Sequence, residues 1–208
     1  MEVAEIRRGL WRWTAAHPAW RPGKAWPQEV GCVYAEMPDA IVLVDPLVPA
    51  DDEDRFWRAL DRDRERLAHL PVVVMLTCSW HRRSSDSVAE RYGAEVWHPG
   101  DPHQQLPSGS EPQGVELAVF EDEETRWREA VVAFPERGVV VFGDVIEGDE
   151  AGRLRMPREW WPPDEERTNR IRTELHRVLD WPVEVVLVSH GEPVFEQARG
   201  ALAQALEM

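Results

Sequence analysis

The run Val72-Val-Val-Met-Leu-Thr-Cys-Ser-Trp-His-Arg-Arg-Ser-Ser-Asp-Ser87 changes character halfway along. Behind Pro71, the residues from Val72 to Thr77 are apolar or β-branched. They are too few to cross a membrane and the right number for a strand buried on both faces. The chain then turns polar at Cys78, Trp80, His81, Arg82 and Arg83, and Ser84, Ser85, Asp86 and Ser87 follow as candidate N-caps of a helix. A buried strand that ends in a polar loop and feeds a helix predicts a ligand site, because open α/β sheets collect ligands beyond the carboxyl ends of their strands.

The run has three counterparts. Ala40 to Val44 ends in Asp45-Pro46, Val139 to Phe142 ends in Gly143-Asp144, and Val183 to Val188 ends in Ser189-His190-Gly191. Each strand that ends in aspartate is followed by a helical pattern, a proline and a second strand, so the chain contains two similar strand-helix-strand units. Right-handed crossovers make the strands of each unit parallel. Asp45, Cys78, Asp144 and His190 are then expected to gather at one edge.

At 208 residues the chain suits a single domain of two similar halves, roughly 30–120 and 121–208, with the Trp- and Pro-rich segment 1–29 laid over the core. A hydrophobic fraction of 43% is that of an ordinary globular protein. The net charge of -15 disfavours nucleic acid and anionic membrane surfaces as partners. All but one of the 24 basic residues are arginine, Lys24 being the exception. Cys32 and Cys78 form no C-x-x-C motif and suit a reducing cytoplasm. Met1 to Trp20 carries no apolar core of a signal peptide, and no apolar run reaches the length of a membrane span.

The remaining punctuation predicts further elements. Segment 1–29 reads as an edge strand and an irregular cover, Val30–Met37 and Ile41–Val44 as a hairpin turning at Pro38-Asp39, and Asp51 to about His69 as a helix. A short helix over Ser85–Tyr92 stops at Gly93, and Ala94–Trp97 is a brief strand. A loop containing His103 leads to Val115–Phe120, and Trp127–Phe134 and Val139–Phe142 form a second hairpin about Pro135 to Gly138. Glu147 to Pro163, with Trp160-Trp161, reads as a long rim loop. Asp164–Leu179 and Val194–Leu206 read as helices.

In the order of these strand ends and in their residues, from Leu43-Val44-Asp45-Pro46 through Thr77 and Gly143-Asp144 to Ser189-His190-Gly191-Glu192-Pro193, the chain resembles the metallo-β-lactamase superfamily. The resemblance implies the four-layer αββα sandwich, an α/β fold in which one or two metal ions at the strand ends activate water for hydrolysis. The departures are as informative. With Thr77 aligned, Cys78, Trp80, Arg82 and Arg83 stand where the family has histidine, histidine, aspartate and histidine, and the next expected histidine falls near Thr125 or Arg126. Asp144 and His190 alone keep the family's ligand types. Cys78 can bind a soft metal, whereas Trp80, Arg82 and Arg83 have no lone pair to give.

Each candidate has two readings. Asp144 and His190 form a residual metal or acid/base pair, or an inherited buried ion pair. His81, one residue off the ligand positions, is expected at the surface or as a cap, with a third-ligand role as the alternative. Asp45 orders its Asp-Pro loop. Arg82 and Arg83 either hold a substrate anion or make surface ion pairs. Trp80, Trp160 and Trp161 wall a pocket or pack the core. Cys78 is a nucleophile if its pKa is depressed and an inert thiol if it is buried. The expected function is a hydrolase-like protein without the standard dinuclear centre and without a required cofactor, binding a small anionic ligand between these residues. Two alternatives stay open: a mononuclear enzyme using zinc or another divalent metal on some subset of Cys78, His81, Asp144 and His190 to cleave ester, thioester or lactam bonds, and a non-catalytic interaction protein. A homo-oligomer stays open as well.

Overall fold

The computed structural model describes residues 1–99, 111–122, 127–149, 151–157 and 165–207. The strands are β1 (Glu2–Arg7), β2 (Leu10–Ala16), β3 (Glu29–Glu36), β4 (Ile41–Val44), β5 (Val72–Met75), β6 (Glu95–Trp97), β7 (Glu116–Asp122), β8 (Trp127–Phe134), β9 (Val139–Phe142), β10 (Glu147–Gly148), β11 (Leu154–Arg155) and β12 (Val185–Val188). The α-helices are α1 (Glu53–Arg66), α2 (Ser85–Tyr92), α3 (Glu165–Leu175) and α4 (Ala198–Glu207). One sheet runs β1-β2-β3-β4-β5-β6 and the other β12-β9-β8-β7.

The apolar runs are continuous because both faces of each sheet are covered. In β5, Val73 and Met75 point between the sheets, where they meet Val132, Phe134, Val141 and Leu187 of the second sheet. Val72 and Val74 point outward into the layer formed with Phe56 and Leu60 of α1 and Val88 of α2. On the far side, Val140 and Phe142 of β9 pack against Ile171 and Leu175 of α3 and Leu202 and Leu206 of α4. Helix, sheet, sheet and helix therefore stack as four layers around three apolar seams.

Register brings the polar strand ends level. Ile41 to Val44 pair in parallel with Val72 to Met75, and Val139 to Phe142 pair in parallel with Val185 to Val188. The first crossover leaves Asp45 beside Thr77, and the second leaves Asp144 beside His190. The two sheets are then joined at this edge by backbone bonds from Ala130 N to Thr77 O at 2.6 Å and from Gly31 N to Ser189 O at 2.8 Å. An isolated bridge between Cys78 and Glu129 adds to the seam.

Three segments differ from the sequence reading; the closing helix begins at Ala198 and not at Val194, which instead pairs with Val186 of β12 and leaves Phe195 exposed. Residues 1–16 form two strands and not one, because Gly9, at φ 72, permits a tight reversal between β1 and β2. Part of the expected long loop after Asp144 is the small hairpin β10-β11, tied by Asp149, whose carboxylate accepts backbone N–H groups from Ala151 and Arg153. His103, Trp160, Trp161, Thr125 and Arg126 lie outside the described residues. Among the described residues, no helix is long and apolar enough to cross a membrane.

Candidate active site

The strand β5 ends at Met75, two residues before Thr77, and at Ser79–Arg82 the chain tightens into a 3-10 turn. Cys78, extended just before the turn, and His81 within it bring their ligand atoms to within 4.8 Å of each other. The expectation of a surface or capping role for His81 is thereby corrected: His81 is buried at 3% exposure and occupies the centre of the site. The one-residue offset from the family's ligand positions does not turn His81 away from the site, because the chain tightens over Ser79–Arg82.

A chain of charged groups runs through His81. Thr77 donates its backbone N–H to Asp45 Oδ1 at 2.8 Å and its hydroxyl to Asp45 Oδ2 at 2.5 Å. Because the hydroxyl proton is committed, His81 Nδ1 acts as the donor to Asp45 Oδ2 at 2.8 Å. The far nitrogen, Nε2, stands 3.1 Å from Asp144 Oδ1, and His190 Nε2 stands 3.1 Å from the same oxygen. The other Asp144 oxygen accepts a short bond from the Trp80 indole N–H. Although both imidazole nitrogens are close, Asp144 Oδ1 receives no well-aligned hydrogen bond and is fully buried. Cys78 Sγ, His81 and Asp144 each offer a ligand atom within 4.8 Å of the others.

Burial opposes ionisation of Asp45 and Asp144, but the His81 charge outweighs it and holds both below the usual carboxylate range. Burial likewise opposes a charge on His81; the facing Cys78 sulfur favours that charge only when ionised, and Asp144 and Asp45 carry the balance well above the ordinary value. Burial lowers His190, despite Asp144, and keeps it neutral. The Cys78 thiol is pushed up to about 12 by burial, so it is a neutral thiol and not a nucleophile at neutral pH.

The two arginines part company. Arg82 is half exposed and lies against Asp86 of α2, with Nη2 donating to Oδ1 at 2.7 Å. It is not part of the cavity wall. Arg83 turns inward from a left-handed backbone, at φ 39. Its Nη1 donates to Gly31 O at 3.1 Å and to Asp45 O at 3.0 Å, and Nη2 donates to Ser189 Oγ at 2.6 Å. It ties together three strand ends. Gly143 is required beside Thr77: an added Cβ would stand 2.4 Å from Thr77 Oγ1.

Sequence reasoning missed Glu129. Its side chain is fully buried; Oε1 accepts the Val145 N–H at 2.8 Å, and Oε2 has no hydrogen-bond partner. Burial and the neighbouring Asp144 raise its pKa well above the carboxylate range, so it is a neutral acid beneath the site. The available signal was the alternation Trp127 in, Arg128 out, Glu129 in along β8.

A cavity of about 440 Å³ opens over Asp144, His81 and His190. Trp26, Trp80 and Trp127 wall it, and Arg83 and Arg167 add positive charge. Trp26 lies over His190 with ring centres 5.4 Å apart and meets His17 edge-on at 5.1 Å. His17 Nδ1 accepts the Ala19 N–H at 3.2 Å, which leaves the proton of the neutral ring on Nε2.

Two sheets stitched at one edge, helices on both outer faces and this polar cluster at the strand ends define an α/β protein with the metallo-β-lactamase fold. Similar solved structures include the NDM/FIM-1-like metallo-β-lactamase of Erythrobacter litoralis in its mono-zinc form, 14% identical with a TM-score of 0.66 over 99% of this chain and 94% of that one. The metallo-β-lactamase FIM-1 of Pseudomonas aeruginosa, also in a mono-zinc form, is 16% identical with a TM-score of 0.62 over 99% and 94%. The metallo-β-lactamase of Pontibacter korlensis is 15% identical with a TM-score of 0.62 over 99% and 98%. No family model matches the sequence, and no curated protein matches it.

Proposed function

We propose that the chain is a metallo-β-lactamase-fold hydrolase that works with one divalent metal ion, zinc foremost, and acts on a small anionic ester, thioester or lactam. The observation that carries this reading is the convergence on Asp144 Oδ1, a buried oxygen 3.1 Å from two imidazole nitrogens without an aligned bond to either. Nitrogen from His81 and His190, oxygen from Asp144 and sulfur from Cys78 form a donor set suited to zinc. Asp45 behind His81 matches the carboxylate that orients a metal-binding imidazole. Trp80, Arg82 and Arg83 offer no lone pair, so the donors suffice for one ion and not for two.

Such an ion supplies Lewis acidity when bound, lowering the pKa of water and stabilising developing negative charge. The chain's own residues prepare the rest. Asp45 keeps the proton of His81 on Nδ1 and directs the other nitrogen towards Asp144. Trp80 fixes the Asp144 carboxylate through its indole N–H. Trp26 covers His190 and limits water at that side, and His17 holds a proton on Nε2 as a hydrogen-bond donor at the cavity wall. Arg83 and Arg167 favour an anionic substrate in a protein whose net charge is otherwise strongly negative. The two free, buried thiols, Cys32 and Cys78, suit a cytoplasmic setting.

A second reading has its own support: the ion triad Asp45-His81-Asp144 is electrostatically complete without metal, which suits a ligand-binding protein that does not catalyse. Elemental analysis of the purified protein beside an Asp144→Ala, His190→Ala double variant separates the two. Near-stoichiometric metal that is lost in the variant supports the enzyme. Metal absent from both folded proteins leaves the ligand-binding reading.

A further inference from the structure

A second cavity, of about 430 Å³, lies on the outer face of the six-stranded sheet and shares no residue with the first. It exists because α1 and α2 cover that face over its β3 to β6 end, while the β1-β2 hairpin extends the sheet beyond them. Trp11, Trp13, Tyr34 and Phe56 form its floor. These rings are fixed in place: Trp13 donates its indole N–H to Leu47 O at 3.0 Å, Trp11 meets Tyr34 edge-on at 5.4 Å, and Trp13 meets Phe56 at 5.6 Å. The cavity is thus pre-formed and apolar at its base.

Its rim is cationic. Arg55, Arg58 and Arg62 line it from successive turns of α1. Arg55 is paired with Asp52 at 3.1 Å, and Arg58 reaches Asp54 only at 4.0 Å, with both side chains largely exposed. Asp63, the one acid in the wall, is held by Arg66 at 3.0 Å. Arg62 has no ion pair or hydrogen bond among the described residues. An aromatic floor with an uncompensated guanidinium at its edge is complementary to an apolar body carrying one negative charge. The lining residues of α1 run from Arg55 to Asp63, nine positions and about 12 Å along the helix axis, which suits an extended chain of about ten carbons.

We propose that this groove is a binding site for an amphipathic monocarboxylate, with the hydrocarbon on Trp11, Trp13, Tyr34 and Phe56 and the carboxylate at Arg58 and Arg62. Ala59 lies in the wall between those two arginines, where a larger side chain fills the space.

The test uses decanoate below its micellar concentration, titrated into the full chain by calorimetry, with decan-1-ol as the uncharged control. Saturable 1:1 binding of decanoate is expected. It should weaken about tenfold or more in an Arg58→Glu, Arg62→Glu variant, in line with the loss of about 1.4 kcal/mol that a tenfold change represents. It should disappear in Ala59→Trp and persist in the Asp144→Ala, His190→Ala variant. No binding to the wild-type chain overturns the proposal, as does decanoate binding that Ala59→Trp and the charge reversal leave unchanged. A concentration-dependent dimer broken by Ala59→Trp, with no decanoate binding, would assign the groove to a second copy of the chain instead.

Discussion

His81 and His190 present their Nε2 atoms to one and the same oxygen of Asp144, each at 3.1 Å. The two histidines follow strands of different sheets, so Asp144 is the group through which both sheets meet at the site. Replacing it by asparagine keeps the shape, removes the charge and leaves the His81 cation with Asp45 alone. Breaking a buried ion pair at one partner costs roughly 3–5 kcal/mol; His81 can shed its proton, which places the expected loss near the lower end. Urea unfolding of chelator-treated wild type and Asp144→Asn measures it. Zinc at a hundredfold excess over its dissociation constant should then raise wild-type stability by about 2.7 kcal/mol and leave the variant unmoved.

The charge chain also fixes how the metal-free protein responds to pH. Asp45 and Asp144 have depressed folded pKa values, so their contribution is present above the unfolded value of about 3.9 and is lost as pH falls through the folded values. The folded His81 pKa is raised, so its contribution is fully present below the unfolded value of about 6.5 and is lost as pH rises through the folded one. The neutral His190, with its lowered pKa, adds to the loss on the acid side. Glu129, whose folded pKa is raised, favours the fold below its unfolded value of about 4.3 and loses that contribution as pH rises towards the folded one. Stability should therefore be greatest between about pH 4 and 7 and decline in alkali. Urea midpoints from pH 3 to 10, with chelator present, check this. A midpoint that keeps rising above pH 7 would mean that His81 is neutral in the folded chain.

Arg83 holds the ends of β3, β4 and β12 through three acceptors that lie in different directions. A lysine ammonium at that position cannot reach all three, because the planar fork of arginine is what spans them. Arg83→Lys should cost about 1.5–3 kcal/mol and loosen the separation of His81 from His190. Thermal unfolding reads the first effect, and metal affinity reads the second. Arg82→Lys, on the exposed face beside Asp86, should change stability by no more than about 0.5 kcal/mol.

The difference between these two arginines shows where sequence legibility ended. Strand ends at Asp45, Asp144 and His190 could be read because buried parallel strands announce themselves as unbroken apolar runs, and α2 could be read to the residue because Gly93 closes it at φ 65. Which of two adjacent arginines faces inward depends on a left-handed φ at Arg83, a conformation that no local preference of arginine encodes. His81 was hidden for a related reason: the loop winds as a 3-10 turn and changes the period by which side chains share a face. The strand pair β1-β2 was half hidden, since β1 is mostly exposed on its edge and lacks the apolar run of a buried strand.

Glu129 offers the sharpest separation of a neutral buried acid from a buried ion. Its Oε1 holds the Val145 N–H, and through that turn it braces Asp144 from below. If the carboxyl is protonated, as burial and the adjacent Asp144 dictate, then glutamine is nearly its equal in shape, charge and accepting oxygen. Glu129→Gln should stay within about 1 kcal/mol of wild type at pH 7. Glu129→Ala, which removes the acceptor and opens a cavity, should lose roughly 2–4 kcal/mol. Equilibrium unfolding of both variants at pH 7 and pH 9 distinguishes the cases. A glutamine variant that is as damaged as the alanine one at pH 7 would show that Glu129 is ionised there and that the site carries one more negative charge than the geometry assigns.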